Sequence, residues 1–162
     1  MASPGERSRS PDVELAPAGP GDLGAVRRLL ESSGLPVEDV GRPGQEFLVA
    51  RSGGDLVGCV GVELHGDAAL LRSLAVATAR RGEGLGDRLL RAIVGHARAR
   101  GARDLYALTT TIEPLLARRG FTRIDRSEAP PAVRRSAEFA TLCPGSSACM
   151  RLVGELRGAG SG

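Results

Sequence analysis

Residues 70–90, LLRSLAVATARRGEGLGDRLL, constrain this chain more tightly than any other stretch. An apolar strand runs to Val76, and after a short loop Arg81, Gly84 and Gly86 stand in the pattern R-x-x-G-x-G at the start of an amphipathic helix. Glycines let a main chain come close to a ligand. The free N–H groups of a helix N-terminus, with the helix dipole behind them, favour anionic oxygens. The segment therefore predicts a cradle for a pyrophosphate, with Arg80 or Arg81 adding charge. A dinucleotide fold needs G-x-G-x-x-G directly after a first strand with an acid about 20 residues on, and a P-loop needs G-K-[ST]. Neither spacing is present. A glycine-rich connection that binds nothing stays open as the alternative.

The elements around this segment alternate in kind. Val13 to Leu15 suits a short strand, and Pro20, Gly21 and Asp22 give a turn and a helix cap before Leu23, Val26, Leu29 and Leu30 recur at helical spacing. Pro36, Gly41, Pro43 and Gly44 break the next stretch. From Glu46 the pattern is that of strands: EFLVAR, the Gly53-Gly54-Asp55 turn, LVGCVGVEL, the His65-Gly66-Asp67 turn and AALLRSLAV predict an antiparallel meander. In its middle strand Leu56, Val60, Val62 and Leu64 are expected on one face and Val57, Cys59, Gly61 and Glu63 on the other. In the helix after the glycine loop Leu85, Leu89, Ile93 and Ala97 form one stripe and Arg88, Arg91 and Arg98 the opposite one, with Gly101 closing it. DLYALT is a strand, Ile112 to Arg118 a short helix, Gly120 to Ile124 a strand, Pro131 to Phe139 a helix, and Ala148 to Leu156 the last strand.

The order β-α-β-β-β-α-β-α-β-(α)-β describes an α/β (α+β) domain whose mixed central sheet has about six to seven strands, with at least one parallel pair across a crossover helix. That domain is expected over residues 12–156. Residues 1–11, rich in Ser, Pro, Gly and Arg, and residues 157–162, RGAGSG, read as disordered tails.

Composition narrows the functions open to such a domain. All 22 basic side chains are Arg, scattered among 19 acids for a net charge of +3, and aromatics make up 2%. Stacking platforms for bases are missing, so nucleic acid is not an expected partner, whereas a small anionic ligand suits the mild positive balance. No apolar run approaches the roughly 20 residues that cross a bilayer, and the first ten residues carry no apolar segment, so no membrane association and a cytoplasmic location are expected. Cys59, Cys143 and Cys149 lack C-x-x-C spacing and only His65 and His96 accompany them, so no metal site is expected.

Arg81-Gly82-Glu83-Gly84-Leu85-Gly86 resembles the [QR]-x-x-G-x-[GA] motif of the GNAT N-acetyltransferase superfamily, matching it at every defined position. The element order over residues 12–156, and Gly120-Phe121 after a short helix, are similar to that family as well. The resemblance implies acetyl-CoA as acetyl donor, its pyrophosphate held by Arg81, Gly82, Glu83, Gly84, Leu85 and Gly86. It also implies that the strand ending at Val76 splays from Leu105 to Thr109, with main-chain groups of Leu74, Ala75 and Val76 hydrogen-bonding the pantetheine arm in the opening. The implied activity is acetyl transfer to a small-molecule amine. A non-catalytic acyl-CoA-binding or regulatory module is the alternative, and association into a homodimer is left open. The segments LYALTTTIEPLLARRGF (105–121) and EFATLCPGSSACMRL (138–152) resemble, more narrowly, the arsenic-resistance-associated branch, which implies an arsenical or other toxic amino-acid analogue as acceptor.

Transfer to an amine needs a deprotonated nucleophile and a donor that polarises the thioester carbonyl. The Tyr that serves many members as general acid, four residues before the Gly of G-F, is here Leu116. A thiolate leaves without such an acid because its pKa is low. Tyr106, on a strand, reads as a packing residue. Glu63, a charge in an otherwise apolar strand, is the candidate base, the alternative being a solvent-facing strand end. Arg72 and Ser73 interrupt the next strand and are candidates to hold an acidic substrate group. Thr110, with Thr109 and Thr111, is a candidate to bind substrate or pantetheine, the alternative being a cap for the following helix. Cys143 and Cys149 read as small buried hydrophobes, with contact to a soft metalloid as the competing role.

Overall fold

The computed structural model describes residues 12–137, 139–140 and 145–154. Its strands are β1 (Val13–Pro17), β2 (Gln45–Ser52), β3 (Asp55–His65), β4 (Ala68–Val76), β5 (Asp104–Thr109), β6 (Thr122–Ile124) and β7 (Ala148–Leu152). The helices are α1 (Leu23–Ser32), α2 (Leu85–Ala99), α3 (Glu113–Arg118) and α4 (Pro131–Arg134). All seven strands join one sheet in the order β1-β2-β3-β4-β5-β7-β6. β2, β3 and β4 form the antiparallel meander, and α2 carries the chain across so that β5 runs parallel to β4. No helix among the described residues is long and apolar enough to cross a membrane.

Both faces of the sheet are covered, which is why β3 and β4 read as near-continuous apolar runs. Leu85, Leu89, Leu90, Ile93 and Ala97 of α2 pack on one face against Val57, Val60, Val62, Leu71 and Leu105. Val26 and Leu30 of α1 cover the other face over Phe47, Val49, Cys59 and Ala75. Further along that face, Leu70, Tyr106 and Cys149 lie under Ala129, Val133 and Phe139.

The structure corrects the sequence reading at four places. Leu56 packs with α1 and Val57 with α2, the reverse of simple alternation. A bulge is the cause: β2 pairs Ala50 with Gly58 but Arg51 with Leu56, and one extra residue inverts the faces beyond it. Asp22 does not cap α1. It folds back, accepting from the Gly19 amide at 2.7 Å and from Arg51. The helix expected over Pro131 to Phe139 is interrupted: α4 ends at Arg134, and helical backbone resumes at residue 137, where Ser136 caps it, its Oγ accepting from the Phe139 amide at 3.2 Å and its carbonyl from the Ala140 amide at 2.9 Å. Finally, β7 inserts between β5 and β6 and ends at Leu152. The two predicted tails, residues 1–11 and 157–162, lie outside the described residues.

Candidate active site

The β4–β5 ladder runs from Ala68 opposite Asp104 to Leu71 opposite Ala107 and then stops, although β4 continues to Val76 and β5 to Thr109. A bulge in β4 explains the parting. β3 pairs Gly61 with Arg72 but Cys59 with Ala75, and Ser73 takes φ +61, the one positive value at a non-glycine among the described residues. A bulged strand bends, so β4 turns from β5, while β5 stays in register with β7 as far as Thr109 opposite Ala148. The Ser73 carbonyl accepts from Cys59 Sγ at 3.3 Å and so points toward β3. Across the planar trans peptide the Leu74 N–H points the opposite way, toward the opening.

Between the parted strands lies a cleft of about 970 Å³. Leu71 to Val76 form one wall, Ala107 to Ile112 with Leu115 and Leu116 the other, and residues 33–38 after α1 close one end. The glycine loop closes the other. There Gly82 has φ +85 and Gly84 φ +80, left-handed values that let the chain turn abruptly into α2. No side chain caps that helix, and its first internal bond is donated by the Arg88 amide to the Gly84 carbonyl at 3.1 Å. The amides of Leu85, Gly86 and Asp87 precede it and have no partner within the helix. A Cβ built on Gly82 would meet nothing within 4 Å, so the space over the loop is open. Arg81 lies beside it, its Nε donating to the Val76 carbonyl at 3.2 Å. Unpartnered helix amides, an open main chain and adjacent guanidinium groups form a donor set that fits a pyrophosphate.

The acetyltransferase (GNAT) domain family matches residues 43–123, half of the chain, a span that includes both the bulged strand and this loop. The chain belongs to the GNAT acetyltransferase family, and with it to the acyltransferases. The GNAT chain is 30% identical over 132 residues to an amino-acid acetyltransferase of Neisseria meningitidis, covering 76% of itself and 30% of that protein. It thus spans less than a third of the curated relatives it matches. Among solved structures it is similar to N-acetylglutamate synthase from Neisseria gonorrhoeae complexed with coenzyme A and N-acetyl-glutamate. That match has a TM-score of 0.70 at 25% identity, over 88% of this chain and 35% of the other. It is also similar to Rv2747 from Mycobacterium tuberculosis in complex with CoA and NLQ, with a TM-score of 0.73 at 26% identity, over 86% of this chain and 98% of the other.

Within this GNAT domain Leu74, Ala75, Val76, Arg81, Gly82, Gly84, Leu85 and Gly86 all line the cleft, as do Arg72, Ser73 and Thr110. Glu83 is not among the lining residues. It accepts from Arg80 Nε at 3.1 Å. Glu63, expected to face the acceptor, also stands outside the lining: 7% exposed, it takes Arg72 Nη1 on Oε2 at 2.5 Å and faces His65 Nε2 with Oε1 at 3.2 Å. Arg72, 3% exposed, donates through Nη1 to Asp39 Oδ2 at 2.5 Å, through Nη2 to Asp39 Oδ1, and through Nε to Ser73 Oγ at 3.0 Å. Its donors are committed to the protein, so it does not offer a fork to a substrate carboxylate. Burial alone would raise the Asp39 carboxyl, but hydrogen bonding to Arg72 and its charge outweigh that, and the net direction is down.

Asp39 is the residue that sequence reasoning missed. Its signal is indirect: an arginine inside an apolar strand requires a buried counter-charge, and Asp39 supplies it from a proline- and glycine-broken loop that has no period of its own. Thr109 takes the capping role, its Oγ1 accepting from the Thr111 and Ile112 amides at 3.1 and 2.8 Å, which leaves Thr110 exposed on the rim. Leu116 is fully buried and lines the cleft. Tyr106 lies in the core, and His96 pairs with Glu46 at 2.6 Å. Cys149 is buried in β7 with its thiol pushed up by that burial, whereas Cys143 lies outside the described residues. Among the described residues no group of three or more His, Cys, Asp and Glu side chains is arranged to hold a metal ion.

Proposed function

We propose that the chain is a cytoplasmic enzyme that transfers an acetyl group from acetyl-CoA to the amine of a small amino acid or amino-acid-like compound. One observation carries the reading: the opening between β4 and β5 ends on the uncapped N-terminus of α2, with Gly82 and Gly84 both at positive φ. The amides of Leu85, Gly86 and Asp87, with Arg81, hold the pyrophosphate. Main-chain groups of Leu74, Ala75 and Val76 pair with the pantetheine arm and set its depth. Acetyl-CoA supplies an activated acyl group whose thiolate leaves without a general acid, in keeping with Leu116 at the position where many relatives carry Tyr. The Leu74 N–H points where the carbonyl oxygen gains charge. Thr110 and residues 33–38 border the space left for the amine. Glu63, set behind Arg72, acts on that space through the guanidinium rather than by touching the amine.

The amino-acid acetyltransferase relatives support an amino-acid-like acceptor. The narrower reading, an arsenical or other toxic amino-acid analogue, rests on the resemblance of residues 105–121 and 138–152 to the arsenic-resistance-associated branch. Titration calorimetry with acetyl-CoA on the parent and Gly84→Asp tests the reading. A carboxylate at position 84 would face the incoming phosphates, and the variant is expected to lose about 100-fold in affinity, by analogy with charged contacts worth a few kcal/mol, while it still unfolds cooperatively at a melting temperature lowered by the strain of a non-glycine at φ +80. Unchanged affinity in the folded variant would remove the site. Acetyl-CoA binding with no thiol release from any member of a broad amine panel would favour the non-catalytic module.

A further inference from the structure

We infer that Ser73 is the side chain that meets the reacting acyl group, and that Arg72 is a positioning residue that aims it; the inference rests on the acetyl transfer proposed above. Ser73 is two residues past the last β4–β5 pair, at the point of parting, and it lines the cleft. Its φ of +61 is a conformation a non-glycine residue holds only where its surroundings impose it. Two contacts do so: Cys59 Sγ on its carbonyl and Arg72 Nε on its hydroxyl. The guanidinium is itself fixed by Asp39, from the loop after α1, and by Glu63, from β3.

The direction of that contact decides what the hydroxyl can do. Because Nε–H is the donor, Ser73 Oγ is the acceptor and keeps its own hydrogen to donate elsewhere. No acceptor for that hydrogen is found among the described residues. The hydroxyl and the Leu74 N–H therefore stand side by side at the opening as two donors for one developing oxyanion, and the positive charge on the far side of Oγ strengthens the hydroxyl as a donor. Glycine would adopt this φ without strain. What serine adds is the hydroxyl.

Ser73→Gly and Ser73→Ala test this by binding, spectroscopy and turnover together. The parent is expected to bind acetyl-CoA several-fold more tightly than S-ethyl-CoA, which lacks the carbonyl, and to lower the infrared carbonyl stretch of bound 13C-acetyl-CoA. Both variants should bind S-ethyl-CoA like the parent, lose the preference for acetyl-CoA, return the stretch toward its solution value, and drop kcat by about 100-fold, the order found for loss of one oxyanion donor. Ser73→Gly, in which relief of the positive φ offsets part of the loss of the Arg72 Nε acceptor, should still unfold cooperatively well above the assay temperature, which separates loss of the hydroxyl from loss of the fold. Arg72→Lys, which keeps a charge but cannot hold Asp39, Glu63 and Ser73 at once, should lower kcat without raising the KM for acetyl-CoA. Variants at Ser73 with parental kcat and an unmoved stretch would overturn this assignment alone. A parent that does not bind acetyl-CoA would overturn the acetyl-transfer reading and this one with it.

Discussion

Burial between the sheet and α1 pushes the Cys59 thiol up to about 12 from an ordinary value of 9.0. The folded state therefore disfavours the thiolate that the unfolded chain forms readily. Between pH 9 and 12 the unfolded state has released a proton that the folded state keeps, so stability falls with rising pH, by up to about 1.4 kcal/mol per unit. Tyr106, also raised chiefly by burial, adds the same sign at the alkaline end. Urea denaturation at pH 8 and pH 10.5 should show the loss in the parent and a shallower slope in Cys59→Ala, whatever that variant's starting stability. An equal slope in the two would take Cys59 out of the explanation. At this scale the sequence marks individual charges but not their relations. Glu63 and Arg72 each stand out as charges in apolar strands and read separately, Glu63 as the base and Arg72 as a holder of an acidic substrate group. They are each other's partners, and finding that requires the register of β3 on β4, which an added residue at Ser73 displaces. The cleft-lining glycines were legible because a positive φ has a residue preference, whereas a buried ion pair has only a pairing.

Element boundaries followed from alternation and helical stripes, since the two periods differ enough to separate β2, β3 and β4 from α1 and α2. The bulges did not, because one additional residue in a strand changes no composition. Packing across the meander is nevertheless demanding at particular glycines. A Cβ built on Gly61 would lie 2.5 Å from Phe47 Cε2, and that ring is itself buried under α1. A Cβ on Gly58 would lie 2.9 Å from Leu89 Cδ1, the end of an aliphatic side chain, and 3.4 Å from Ala50 Cβ and the Ala75 carbonyl oxygen, a milder clash than the one at Gly61. Gly61→Ala should therefore cost about 1–3 kcal/mol, the usual range for overpacking, and Gly58→Ala distinctly less. Denaturant titrations of the two variants check the ranking, and a Gly58 variant as damaged as the Gly61 one would contradict it. The short α4 teaches the same lesson from the other side. Its apolar spacing carries on through Phe139, but the break at residues 135 and 136, where Ser136 caps the next helical segment, leaves no mark on that period.

For the molecule as a whole, the glycine loop marked one end of the cleft, and the crossover foretold the parallel pair that opens it. The strand order beyond β5 was not legible, because a long-range antiparallel pairing leaves no mark on either strand's own period. That order has a consequence for how the molecule is assembled. β7 is flanked by β5 and β6, which are joined only through it. Until β7 arrives, β5 has an unpaired edge and β6 has no neighbour at all. The meander, by contrast, closes through short turns. Contacts distant in sequence form slowly because the loop entropy is lost before the pairing is gained. Pulsed hydrogen exchange during refolding of the full chain should find the amides of β2, β3 and β4 protected first and those of β5, β6 and β7 together and last; simultaneous protection of both groups would show a single nucleus instead. On this order the wall that carries Thr109 and Thr110 is the last part of the cleft to exist, so a nascent chain would complete the glycine loop before the cleft had its second side.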